Sequence, residues 1–163
     1  MTHVLVIANR TIGAPALLLA LRRRCERESV RYTLLVPAAV SERPAAQARV
    51  DEAVATLTSW SIEAAGLLGA ADPVVATEEE YDNARYDEIL VVTLPGDSSI
   101  WLQHGVPARV QHATGAVVHH ITVPAEQAAP PGGPSATPRH EPLLEGMLGL
   151  LKVDTNRIGH PYG

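Results

Sequence analysis

Residues His3–Ala8 read HVLVIA, and residues Asp87–Leu94 read DEILVVTL. Neither run alternates apolar with polar residues, as a strand with one wet face would. Both are apolar almost throughout and rich in β-branched side chains, the pattern of strands buried on both faces of a parallel sheet. Outward from them the chain alternates in kind. From Ala14 to Glu28, Ala14, Leu18, Leu21 and Cys25 fall on one helical stripe, and Pro15 suits a first helical turn. Arg31–Pro37 reads as a second buried strand, Pro44–Trp60 as a helix with Val50, Val54 and Leu57 on one face, and Ser61–Leu68 as a weaker third strand. Asp72 and Pro73 predict an N-cap and first residue for a short acidic helix reaching about Asn83. After the strand at Asp87–Leu94, a polar loop is expected from Pro95 to Ser99, a helix at Val106–Thr114 and a fifth strand at Ala116–Val123. Strands alternating with helices imply a parallel α/β sheet with right-handed crossovers.

The 163 residues suit one domain. A single cysteine, Cys25, excludes an internal disulfide framework and suits a reducing cytosol, so a cytoplasmic protein is expected. Cys25 reads best as a small buried hydrophobe. Lys+Arg is 13 against Asp+Glu 18, a net charge of −5, which argues against nucleic acid as the main partner. Val4–Ala8 is too short for a signal-peptide core or a membrane span. With no Phe, the core must be built from Leu, Val, Ile and Ala, with Trp60, Trp101 and four tyrosines as its large rings. Arg22, Arg23, Arg24 and Arg27 share one helix and read as a solvated face. Residues 1–123 form the α/β domain on this reading. Residues 124–142, carrying six prolines from Pro124 to Pro142, form a semi-extended linker, and residues 143–163 a short Leu-rich helix and tail.

Several chemistries lack their signatures. There is no G-x-G-x-x-G after the first strand, no G-x-x-x-x-G-K-[S/T] and no G-x-S-x-G elbow. A receiver domain would need acids where Asn9 and Gly69 stand. No histidines share the i, i+4 spacing of a helical zinc site, and adjacent His119 and His120 must point to opposite faces of a strand. No metal site, no nucleophile–base pair and no catalytic residue is therefore expected.

The pieces VLVIANR (Val4–Arg10), Asp72-Pro73, DEILVVTLP (Asp87–Pro95), SSIWL (Ser98–Leu102) and PARV (Pro107–Val110) resemble a divergent branch of the universal stress protein family over about Met1–Val123. The resemblance implies a flavodoxin-like, Rossmann-like three-layer sandwich, its five-stranded parallel sheet in the order 3-2-1-4-5, and a homodimer joined through the fifth strand. His119 or His120 would contribute to that seam. The family's ATP-binding members carry an Asp after strand one and the spacing G-x-x-G-x9-G-[S/T] after strand four. Here Asn9 stands near the Asp, Thr93-Leu94-Pro95-Gly96-Asp97 offers a single glycine, and His104-Gly105 is followed by Val106. Asp97 would repel a phosphate. The ATP cradle is expected to be lost or weak.

With that strand order, a ligand crevice should open beyond the carboxyl ends of strands one and four, where the order reverses. Its walls would be Ala8, Asn9, Arg10 and Thr11 on one side and Thr93, Leu94, Pro95 and Gly96 on the other. Ser98, Ser99, His104 and Gly105 would line the mouth, and Val36 closes the end of strand two. Arg10 suits carboxylate or phosphate recognition through a bidentate fork, or else is solvated with Asn9 turning the loop. Trp101 reads either as a plug closing the crevice or as a platform for a base. Two functions stay open: a non-enzymatic dimeric regulatory or interaction protein with no cofactor, or an adenine-nucleotide switch taking ATP or AMP. Residues 124–163 form a candidate arm for a protein partner; no membrane partner is expected.

Overall fold

A computed structural model describes residues 1–130. Five strands, β1 (Thr2–Ile7), β2 (Val30–Pro37), β3 (Ala64–Gly69), β4 (Glu88–Thr93) and β5 (Val118–Thr122), form one sheet in the order β3-β2-β1-β4-β5. Every neighbouring pair is parallel, with Val6 opposite Leu34 on one side and Leu90 on the other. The helices are α1 (Pro15–Cys25), α2 (Arg43–Ser59), α3 (Pro73–Glu80), α4 (Ile100–Gln103) and α5 (Val106–Thr114). No helix among the described residues is long and apolar enough to cross a membrane. Residues 131–142 of the expected linker and the expected helix and tail at 143–163 lie outside the described residues.

The two-residue period of a strand explains why the central runs are apolar throughout. Val4, Val6 and Ala8 of the first run, with Leu90, Val92 and Leu94 of the fourth, face a core shared with Leu17, Leu18 and Leu21 of α1 and Val50 and Leu57 of α2. Leu5, Ile7, Ile89 and Val91 face a second core under α3 and α5, with Val74, Tyr86, Val106 and Val110. The outermost strands lack this double burial. In β5, His119, His120 and Thr122 are exposed.

Element ends move for local reasons. The third strand begins at Ala64 rather than Ser61, because Ser61 adopts a left-handed φ of 60° and the amides of Trp60, Ser61 and Ile62 turn back to carbonyls of α2. Helix α3 stops at Glu80, short of Asn83. Three glutamates (Glu78–Glu80) crowd the carboxyl end, where the helix dipole disfavours anions, and the Asp82 carboxylate accepts from the Ala84 amide to start a turn. Its beginning is as expected, with Asp72 accepting from the amides of Val74 and Val75 at 2.8 and 3.3 Å. Helix α1 is confined to Pro15–Cys25, with Ala14 as its N-cap, and Cys25 is half-buried against the first core. The expected loop after β4 contains a 3-10 turn at Gly96–Ser98, and α4 follows it.

Helix α2 lies so close to β3 that a methyl group at Gly66 would sit 2.6 Å from Val50 Cγ2 and 3.2 Å from Val54 Cγ2. Val50 is fully buried and cannot retreat. Gly66→Ala is expected to destabilise the fold by about 1–3 kcal/mol, seen as a lower urea midpoint at unchanged slope. An unchanged midpoint would show that the two elements are not so close.

At the other end of the sheet, His3 is buried, its Nδ1 donating to the Arg85 carbonyl at 2.9 Å and its Nε2 accepting from the Thr33 hydroxyl at 2.8 Å. Burial foremost, then the Arg31 charge, hold its pKa below the ordinary 6.5, against the opposing pull of the Arg85 carbonyl. The native imidazole thus binds a proton less well than the unfolded one, so its stabilisation is full above pH 6.5 and lost as pH falls toward the lowered value. His3→Gln is expected to flatten the loss of stability between about pH 7 and pH 5; parallel profiles for the two proteins would remove His3 from that role.

Candidate functional site

The sheet order reverses at β1: its chain crosses one way to β2, while β4 lies on its other side. Their carboxyl ends therefore part, and a cavity of about 300 Å³ opens there. Seven of the residues expected at a crevice line it: Asn9, Arg10, Thr11, Thr93, Leu94, Ser98 and Ser99. Glu42, Val92, Ile100 and Trp101 complete the lining. Other expected positions lie elsewhere. Ala8 and Val36 are fully buried in the first core. Pro95, Gly96 and His104 are exposed outside the lining. Gly105, at a left-handed φ of 64°, turns the chain into α5. Trp101 lines the cavity while packing on the second core. Glu42 was not legible as a wall residue; it arrives with the turn after β2, whose path depends on the strand order.

Most polar groups at the cavity are already engaged. Ser99 Oγ accepts from the Leu102 amide at 3.1 Å, capping α4. Thr93 is buried, and its hydroxyl lies 2.7 Å from His120 Nε2 on the edge strand. The Asn9 carbonyl accepts from the Ile12 amide at 3.2 Å, which turns the loop, and Asn9 Oδ1 accepts from Arg49 Nη2 at 2.8 Å. Arg49 projects from α2 and is buried. Burial lowers its pKa, with Glu42 opposing and Arg10 adding to the effect.

Arg10 is neither free nor simply solvated. The segment after β5, expected as the start of a linker, turns at Ala125–Gln127 and docks on the β1–α1 loop. The Ala129 amide donates to the Arg10 carbonyl at 2.8 Å, and Arg10 Nε donates to the Ala129 carbonyl at 2.7 Å. Gln127 Oε1 accepts from the Ala16 amide at 2.9 Å, serving the first turn of α1, whose own N-cap Ala14 has no side-chain acceptor. Among the described residues Arg10 and Arg49 form no salt bridge, and no cluster of three potential ligands could hold a metal ion.

Gln127→Ala removes the acceptor for an α1 first-turn amide and is expected to cost about 1 kcal/mol, with faster hydrogen exchange at Ala16. Unchanged exchange at that amide would show that the segment does not cap the helix.

No protein-family model and no curated protein matches the chain. Solved structures do. One is a universal stress protein in complex with cAMP, 20% identical, with a TM-score of 0.54 over 74% of this chain and 96% of that one. Another is a universal stress protein family protein from Arabidopsis thaliana with AMP bound, 16% identical, with a TM-score of 0.54 over 81% of this chain and 98% of that one. With its five parallel strands in the order β3-β2-β1-β4-β5, this chain has the fold of the universal stress proteins.

Proposed function

We infer that the protein is a non-enzymatic regulatory domain whose β1/β4 crevice binds a nucleoside monophosphate of the adenine class. The observation that carries this reading is Arg10 at the crevice: its Nε is anchored on the Ala129 carbonyl, and no carboxylate pairs with it among the described residues. An arginine so held presents its remaining donors to one phosphate at little entropic cost. Val92, Leu94, Ile100 and Trp101 supply an apolar wall for a base, and the volume stands at the low end of small-molecule sites. The two solved relatives of this fold hold AMP and cAMP, which supports the same ligand class.

A triphosphate fits the loop after β4 poorly. Gly96 is its single glycine, and Asp97 follows at once. Binding is favoured over catalysis because Thr93 is buried and, among the described residues, no carboxylate bonds His120 to complete a relay. We also read the outer edge of β5 as the seam of a homodimer. That edge has no strand partner among the described residues.

Calorimetry with AMP, cAMP and ATP tests the reading, with Trp101 fluorescence as a second readout. AMP or cAMP is expected to bind at micromolar level, ATP at least about tenfold more weakly, and Arg10→Gln to weaken AMP about tenfold or more. Absence of heat with all three, or tighter binding of ATP, would contradict it.

A further inference from the structure

On the other side of Arg10 lies a second cavity of about 280 Å³, walled by α1, α2 and the docked segment, with Arg10, Arg49, Thr56, Gln127 and Ala129 around it. Its chemistry differs from that of the crevice. Arg49 is only 7% exposed, and its buried Nε has no hydrogen-bond partner. Its one bond is to a neutral amide oxygen, Asn9 Oδ1. A guanidinium out of water with an unused N–H is costly unless an anion compensates it, and the nearest candidates do not. Glu42 lies beyond ion-pair distance, and Glu52, the acid at this cavity, is exposed at its rim. A second guanidinium, Arg10, borders the same space with only its Nε engaged. Gln127 gives its Oε1 to Ala16, which leaves its amide N–H groups as further donors. Two guanidinium groups and the Gln127 amide thus border the cavity, and Gln127 Oε1 and the Ala129 carbonyl are already in use.

We propose that this second cavity is a binding site for a small oxyanion, phosphate or carboxylate, held between the guanidinium groups of Arg49 and Arg10 and walled on one side by residues 127–130. The anion offsets the charge of the two guanidinium groups, Arg49 and Arg10, that border the cavity. Arg10 borders both cavities, so this site shares one guanidinium with the crevice, and the Thr56→Leu comparison distinguishes binding here from binding there.

The test uses the full chain in thermal unfolding and calorimetry, with potassium phosphate and malonate each compared against potassium chloride at equal ionic strength. Phosphate or malonate is expected to bind and raise the unfolding midpoint, and the stronger of the two identifies the group as phosphoryl or carboxyl. Arg49→Met removes the charge, and Thr56→Leu fills the cavity from the α2 side without touching either arginine. Each is expected to weaken the anion at least about tenfold. If Arg49→Met fails to fold, Thr56→Leu carries the comparison alone. No binding of either anion, or equal affinity in the wild type and Thr56→Leu, would overturn the proposal.

Discussion

Everything at the ligand end of this molecule depends on β1 being buried on both faces while its two neighbours are reached by crossovers in opposite directions. Val4, Val6 and Ala8 commit one side of that first run to α1 and α2, and Leu5 and Ile7 commit the other to α3 and α5. With both faces filled and both edges paired, the chain leaving β1 can only rise out of the carboxyl end. A crevice at that point is a geometric consequence of the strand order, whatever residues line it. What the residues decide is which ligand fits.

Here they build a loop tied from three directions. Asn9 is held from α2 by Arg49, Arg10 is held from the chain's later part by Ala129, and Thr11 lies against β4, its hydroxyl 3.5 Å from the Val92 carbonyl. This network replaces glycine-rich flexibility with fixed side chains. A rigid loop with one oriented guanidinium favours a single phosphate over three, since successive phosphates need close backbone approach along the cradle. Arg10 borders both cavities, and the Arg49–Asn9 hydrogen bond joins a wall of one to a wall of the other, so occupancy of one could be felt at the other through these side chains.

The sheet was legible because double burial writes a continuous apolar run, and four of the five strand cores lie within a residue or two of where the runs place them. Element ends were less so: Ser61 in a left-handed conformation and the glutamates closing α3 act through local geometry that apolar periodicity does not carry. At the crevice, Asn9–Thr11, Thr93, Leu94, Ser98 and Ser99 followed from the strand order that the family resemblance implies. Arg49 did not, because nothing in a helix reading of residues 44–60 separates an arginine turned inward from a solvated one. The docking of Gln127 and Ala129 was equally silent, since proline-rich composition reports only what a segment cannot bury, and here main-chain and amide hydrogen bonds hold it.

The most direct measurement is an amide chemical-shift titration of the uniformly labelled protein with AMP. The account predicts saturable shifts concentrated at Asn9–Thr11 and Leu94–Trp101, together with the Trp101 indole. Shifts confined to other parts of the sheet, or none at saturating nucleotide, would contradict it.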